Sequence, residues 1–219
     1  MQPDPQDLLQ QLESRIGGVE DPLEALAGLL GASSRARGRL FDLAGSTLAG
    51  CRLQRILGAG GMGVTYAGES ADGDLVAVKL VADLQTASRD RFEQECRLLQ
   101  SFNHPHIVHY RHHEVLPDGT GALVMEHIQG IDLEQLLVLL SSDDPRASDH
   151  SVVQNLLQDV ETRAPLWLSP RYRRRMLRLL ADVAAGLHAA HERGVVHRDV
   201  KPANILVRSD LSPVVIDFC

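Results

Sequence analysis

The sequence predicts an α+β fold in which an antiparallel sheet comes first and helices follow. Apolar runs at 52–57, 64–68 and 75–81 are typical of strands. The Asp-Gly pair in the 71–74 turn is typical of a hairpin. The stretch 171–193 instead has apolar residues at helical spacing. Because strands joined by tight turns pair antiparallel, we expect a sheet in the first half and helices in the second.

Length and charge restrict the class of protein. The chain has 219 residues, of which 44% are hydrophobic and 23% charged, an ordinary globular balance. Its 22 basic and 29 acidic side chains give a net charge of -7, which disfavours a nucleic-acid binder. Apolar stretches are too short to cross a membrane, no signal peptide is evident, and three scattered cysteines suggest no disulfide framework. We therefore expect a cytoplasmic protein that binds no nucleic acid and has no membrane segment.

The remaining elements are predicted from their apolar patterns. Residues 1–50 are expected to be an N-terminal extension, partly helical or mobile, because Leu8, Leu12 and Ile16 recur at helical spacing before a Gly-Gly pair. The polar, proline-punctuated stretch at about 141–170 is predicted to be an inserted loop. Helices are also predicted over 86–101 and 132–140, and strands over 107–115, 122–126, 195–196, 205–208 and 214–216.

A glycine-rich segment separates the first two strands. Gly58, Gly60 and Gly63 form a GxGxxG pattern, which occurs in dinucleotide-binding units and in phosphate-binding hairpins. Because Val64 continues as a strand and not as a helix, we place the glycines at a hairpin tip, where backbone N–H groups can approach phosphates. A dinucleotide oxidoreductase is therefore discarded, while a plain glycine hairpin remains an alternative.

Charged residues in two further places indicate phosphate chemistry. Lys79 is costly in an apolar strand unless it is paired, and Glu95 on the next helix is a natural partner. The segment 197–204 reads His-Arg-Asp-Val-Lys-Pro-Ala-Asn, and Asp217 follows thirteen residues after its last position. An acid, a cation, an amide and a second acid suit phosphoryl transfer, which depends on positioning and charge neutralisation. The alternatives are a structural ion pair and a solvated charged loop.

In this order and spacing, the motifs resemble those of bacterial Hanks-type serine/threonine protein kinases. The resemblance implies a bilobal protein kinase domain over 51–219, with an N-lobe at 51–126 and a partial C-lobe at 127–219. The N-lobe would hold a complete antiparallel sheet and helix C. The family pattern stops just after Phe218, so the helical C-lobe is expected to be incomplete. The motifs are the glycine loop, Val76-Ala77-Val78-Lys79, Glu95, His104-Pro105 and 197–204.

The resemblance also implies ligands and residue roles. The cofactors would be ATP and Mg²⁺, and the acceptor would be a serine or threonine hydroxyl of a protein. Lys79 would bind phosphates and pair with Glu95. Asp199 would accept the hydroxyl proton and Lys201 would neutralise charge on the γ-phosphate. Asn204 and Asp217 would hold the metal. The residues around the nucleotide would be Leu57, Gly58, Ala59, Gly60, Gly61, Met62, Gly63, Thr65, Ala77, Lys79, the gatekeeper Met125, the hinge residues Glu126 and Ile128, and Leu206.

Two residues depart from the family pattern. Thr65 stands where the family usually has valine, with Val64 one position earlier, and Cys219 stands where it has glycine. The resemblance predicts a serine/threonine protein kinase; the alternative is a catalytically silent nucleotide-binding or regulatory kinase fragment. We also expect apolar surface on the helix at 171–193 to lower stability or to promote association.

Overall fold

The computed structural model describes residues 38–60, 63–82, 84, 86–141, 150–158, 160 and 166–218. The chain forms two compact units. One comprises Met1–Arg89 and Glu114–Ala122, and the other comprises Asp90–His113 and Leu123–Cys219. The helical pattern predicted within residues 1–37 lies outside the described residues.

The first unit contains an antiparallel sheet whose strands follow sequence order. Each strand pairs antiparallel with the next, and Gly73, at φ 82°, turns the chain after the third. The predicted antiparallel sheet with its Asp-Gly hairpin is therefore confirmed. The second strand runs past its predicted end, because pairing resumes after a bulge between Ile56 and Gly58. The strands are β1 (Thr47–Leu48), β2 (Cys51–Gly60), β3 (Gly63–Ser70) and β4 (Leu75–Val81).

One face of this sheet forms an aliphatic core around a tyrosine. Tyr66 and the alternate residues Val76, Val78 and Leu80 of β4 are fully buried. The hydroxyl of Tyr66 donates to the carbonyl of Leu40 at 2.7 Å, which satisfies its polar end inside the core. This bond fastens the segment before β1 to the sheet.

Helix α1 (Thr86–Gln100) and a hairpin of β5 (Tyr110–Val115) and β6 (Gly121–Glu126) follow. The helix buries Cys96 and Leu99, as the apolar pattern predicts. Strand β5 begins three residues later than predicted. Its expected start, Ile107, forms an isolated parallel bridge to Val215 instead.

Three further helices lie in the described part of the second unit. Helices α2 (Leu133–Ser141) and α4 (Pro170–His191) match the predicted helices within one or two residues. Ser169 caps α4 by accepting from the amide of Tyr172 at 3.4 Å, and Pro170 occupies the first helical position. Helix α3 (Ser151–Leu157) lies where a loop was predicted, so that prediction is wrong for these residues. Val152, Val153 and Leu156 of α3 are buried, and this apolar face stabilises the helix.

A small antiparallel sheet completes the second unit. It consists of β7 (Gly130–Asp132), β8 (Ile205–Arg208) and β9 (Pro213–Val215), in that order. The strand predicted at 195–196 is wrong: Val195 and Val196 have irregular backbone, and the amide of Val195 donates to Ala190 at the end of α4. The segment 197–204 therefore runs from the end of α4 into β8. Within the described ranges, no helix is both long and apolar enough to cross a membrane.

Candidate active site

The segment 197–204 brings three predicted site residues together. The carboxylate of Asp199 accepts from the ammonium of Lys201 at 2.7 Å and from the side-chain amide of Asn204 at 3.2 Å. The same amide also donates to the backbone carbonyl of Asp199 at 2.8 Å. A short 3₁₀ turn, Pro202–Asn204, creates this geometry by folding Asn204 back over the loop. The result is a partly exposed carboxylate whose position is fixed by an adjacent cation and an amide.

The charges of Asp199 and Lys201 reinforce each other. The hydrogen bond from Lys201 lowers the pKa of Asp199 below its ordinary value, and the same bond raises the pKa of Lys201. Asp217 contributes a smaller upward effect on the pKa of Lys201. Both groups are therefore charged at neutral pH, with an acceptor carboxylate beside a cation.

His197 connects this loop to the segment that carries Asp217. Its buried ring donates from Nε2 to the carbonyl of Ile216 at 2.7 Å and accepts from the amide of Asp199 at Nδ1, at 3.3 Å. The ring also packs on Phe218 at a centroid distance of 4.6 Å. One histidine thus holds both segments in register.

Two residues in this region have backbone conformations that side chains disfavour. Arg198 has φ 64° and Asp217 has φ 60°, in the left-handed region. Such strain is retained where the surroundings determine the backbone, and it is concentrated at functional sites. Here the bonds of His197 and the bond from the amide of Ile216 to the carbonyl of Asn204, at 3.0 Å, supply that support.

The chemistry of Asn204 and Asp217 fits a magnesium ion. The side-chain nitrogen of Asn204 is committed to Asp199, which leaves its carbonyl oxygen as the group available to a ligand. Asp217 is half-buried and adds carboxylate oxygens. Mg²⁺ prefers such hard oxygen ligands together with substrate phosphates. These two residues would therefore hold the ion, as the resemblance implies.

Glu95 has a partner that the sequence did not indicate. Its carboxylate lies 3.8 Å from the guanidinium of Arg198; the Glu95 side chain is about half exposed and that of Arg198 is mostly exposed. Nothing in the local sequence joins the two residues, because they are more than a hundred positions apart. The predicted pairing of Glu95 with Lys79 stays a prediction.

The first unit arranges the residues predicted to meet phosphates. Strand pairing sets Gly58 opposite Thr65, and Thr65 opposite Lys79. Ala77 lies two residues before Lys79 in β4, so Thr65, Ala77 and Lys79 share one face of the sheet. Lys79 is almost fully buried. Thr65, which stands where the family usually has valine, therefore lies on the same face as Lys79. The neighbouring Val64 is buried on the opposite face of the sheet.

The glycine hairpin has one position that only glycine can fill. Gly63 has φ 139°, and a Cβ there would lie 1.9 Å from the carbonyl oxygen of Leu80. Gly58 and Gly60 have open space where a Cβ would be, and the neighbouring residues Leu57 and Ala59 are exposed. The hairpin therefore presents accessible backbone, as a phosphate-binding loop requires. Gly61 and Met62 lie outside the described residues.

The other predicted nucleotide residues lie in the second unit. Met125 and Ile128 are buried, and Glu126 between them is half-buried. Leu206 lies on β8, half-buried. Sequence reasoning missed Arg208 on the same strand, which forms an ion pair with Glu126. Arg208 stands two positions after Leu206 in the predicted strand, but no local pattern in the sequence pairs it with Glu126.

A carboxylate, a neighbouring cation and two residues with oxygen ligands are the kinds of group that phosphoryl transfer requires. Comparison with known proteins agrees with this class. The family model described as "Protein kinase domain" matches residues 51–219. The chain belongs to the protein kinase family, and the recognition made from the sequence is confirmed. Protein kinases in general use ATP with Mg²⁺.

Similar proteins include bacterial serine/threonine-protein kinases. PkaB of Streptomyces coelicolor is 37% identical over 157 residues, which cover 70% of this chain and 30% of PkaB. PknH of Mycobacterium tuberculosis is 30% identical over 178 residues, covering 80% of this chain and 24% of PknH. This chain thus spans about a third or less of the length of these relatives.

Solved structures with the same fold include the kinase domain of PknI from Mycobacterium tuberculosis. It matches with a TM-score of 0.56 and 26% identity, over 80% of this chain and 62% of that domain. The predicted α+β protein kinase fold is confirmed by this likeness.

Proposed function

We propose that this domain binds ATP with Mg²⁺ and transfers the γ-phosphoryl group to serine or threonine hydroxyls of proteins. The carboxylate of Asp199, hydrogen-bonded to both Lys201 and Asn204, is the observation that supports the proposal best. Relatives named as serine/threonine-protein kinases support the same acceptor class.

The proposed chemistry divides among residues of the loop. Asp199 would orient the acceptor hydroxyl and take its proton as the hydroxyl oxygen attacks the γ-phosphorus. The bond from that phosphorus to the bridging oxygen would break and leave ADP. Lys201, beside Asp199, would neutralise charge on the transferred group. Asn204 and Asp217 would hold Mg²⁺, which neutralises charge on the phosphates when bound.

Four parts of the chain would position the nucleotide. The hairpin backbone at Gly58 and Gly60 would cover the phosphates, and Lys79 would bind them. The backbone of 126–128 would bind the adenine ring, with Leu206 against its face. The bonds of His197 would keep Asp199 and Asp217 in place during the reaction.

Transfer of labelled γ-phosphate from Mg·ATP to a mixture of serine- and threonine-containing proteins tests the proposal. The full chain should transfer label, and Asp199→Asn should lower the rate by about a hundredfold or more while ATP still binds. Arg174→Gln, which removes an exposed arginine of α4, serves as the control and should leave the rate unchanged.

Two results would contradict the proposal. Unchanged transfer by Asp199→Asn would show that Asp199 is not the base. ATP binding without any transfer by the unmodified chain would favour the silent nucleotide-binding fragment instead.

A further inference from the structure

Glu126, the first residue of the predicted hinge, is held by three polar contacts. Its backbone amide donates to the carbonyl of His109 at 2.9 Å, and its Oε1 accepts from the amide of His109 at 2.9 Å. Its Oε2 accepts from the guanidinium of Arg208 at 3.3 Å. Both carboxylate oxygens are therefore engaged, one by the backbone and one by a side chain from β8.

Arg208 reaches this carboxylate from the strand face that also carries Leu206. The two residues lie two positions apart on β8, and both are half-buried, whereas Ile205 and Val207 on the opposite face are buried. Leu206 is the residue proposed to lie against the adenine ring. Arg208 therefore lies two residues along the strand from the proposed adenine site.

The chain just after the hinge is anchored to the same strand. Gly130 pairs with Arg208 in the β7–β8 ladder. A Cβ on Gly130 would lie 2.2 Å from the carbonyl oxygen of Val207, so the two backbones are in close contact. The backbone between Glu126 and Gly130 is therefore tied to β8 at both ends, at one end through the side chain of Arg208.

We propose that Arg208 is a positioning residue that fixes the 126–128 backbone and thereby sharpens selection of adenine over guanine. The inference rests on the proposed function, in which this backbone binds adenine. Adenine presents an amino group and an acceptor nitrogen at its edge, whereas guanine presents a carbonyl and an N–H in the same places. A backbone acceptor and donor held in fixed positions match the edge of adenine and oppose that of guanine. A more mobile backbone would therefore discriminate less between ATP and GTP.

The expected effects are moderate because both partners are about one-third exposed. Exposed ion pairs contribute little, and this one gains from the accompanying backbone bond to His109. We expect Arg208→Gln to weaken Mg·ATP binding by roughly three- to tenfold. Mg·GTP binding should change less, so the ratio of the two dissociation constants should move toward one. Arg208→Lys, which keeps the charge, should restore part of the ratio.

The experiment measures dissociation constants for Mg·ATP and Mg·GTP in the full chain, its Arg208→Gln and Arg208→Lys variants, and the control Arg174→Gln. Hydrogen exchange of a peptide spanning 126–130 is measured on the same samples without nucleotide. Arg208→Gln should exchange faster in this peptide, with no change in peptides of the first unit. The control should match the unmodified chain in both measurements.

The two readouts separate failure of this inference from failure of the proposed function. If the unmodified chain binds no nucleotide, the proposed function fails, while the exchange of 126–130 still decides whether Arg208 fixes the hinge. Unchanged exchange in Arg208→Gln would overturn the inference. Equal weakening of ATP and GTP together with a lower melting temperature would also overturn it, since that pattern reports general destabilisation.

Discussion

His197 links the 197–204 segment to the segment that carries Asp217 through both of its ring nitrogens. Its ring is buried and bonds to the carbonyl of Ile216 and to the amide of Asp199. These contacts hold the proposed base next to the segment with the proposed metal ligand. A buried polar group left without its partner costs more than the bond itself contributes, so the ring nitrogens matter more than the ring's volume.

Replacing His197 by phenylalanine tests whether the ring nitrogens link the two segments. The ring would still pack on Phe218, but the carbonyl of Ile216 would lose its bond to Nε2. The amide of Asp199 would lose its bond to Nδ1 and keep the one to the carbonyl of His197, at 2.8 Å. We expect His197→Phe to lower the free energy of unfolding by about 1–3 kcal/mol, measured by urea denaturation. An unchanged stability would contradict the linking role.

Some contacts of the candidate site could be predicted from the sequence and others could not. Asp199, Lys201 and Asn204 lie within six positions, so local loop geometry brings them together and the motif predicted the cluster. The pairs Glu95–Arg198 and Glu126–Arg208 join distant positions on separate elements. Their contacts depend on how helices and strands pack, which no local pattern encodes.

The β7–β8 pair positions the hinge by close backbone contact at Gly130. We expect Gly130→Ala to lower the free energy of unfolding by about 1–3 kcal/mol, because the added Cβ must displace the carbonyl of Val207. Gly38→Ala is the matched control, since its Cβ would meet nothing within 4 Å. Chemical denaturation of both variants measures the difference, and equal stabilities would contradict the close contact.

The turn before β5 contains a histidine that makes stability depend on pH. Partial burial lowers the pKa of His104, and His106 and Arg193 add to that effect. The amide of His106 donates to Nδ1 of His104 at 3.2 Å, a bond that needs the neutral ring. Because the folded pKa lies below the ordinary 6.5, this stability is present above pH 6.5 and lost as pH falls through the folded pKa.

A lower melting temperature at about pH 5.5 than at about pH 7.5 is therefore expected. His104→Asn keeps an acceptor that does not titrate, so its melting temperature should fall less between the two conditions. Thermal unfolding followed by circular dichroism measures both. An equal fall in the variant would mean that other groups cause the pH dependence.

Helices and strands could be predicted where a regular apolar pattern extends over the whole element. Helix α4 and strand β4 carry regular apolar patterns, and their bounds agree with prediction within two residues. Helix α3 was missed because seven residues between polar, proline-containing stretches carry a weak helical signal. The apolar pair Val195-Val196 suggested a strand, yet its backbone follows the end of α4 instead.

For the chain as a whole, the main consequence of the fold is an uncovered apolar face on α4. Leu177 is 67% exposed and Leu180 is 48% exposed, one turn apart on the same side of the helix. Trp167, just before this helix, is 65% exposed. Exposed apolar side chains of this kind promote association.

We expect the purified chain to associate as its concentration rises, as followed by size-exclusion chromatography with light scattering. Leu177→Ser with Leu180→Ser should shift the population toward monomer, because the substitutions remove apolar area without touching the core. Val138→Ser, at another exposed apolar position, provides the comparison. A chain that stays monomeric at all concentrations would contradict the expectation.

Calorimetric titration of the full chain with ATP, with and without Mg²⁺, decides whether the kinase motifs form a working nucleotide site. The arrangement of Asn204 and Asp217 predicts saturable binding to one site that depends on Mg²⁺, and weaker binding by Asp217→Asn. Absence of saturable binding at millimolar ATP, in a sample whose circular dichroism shows a folded chain, would contradict the assignment.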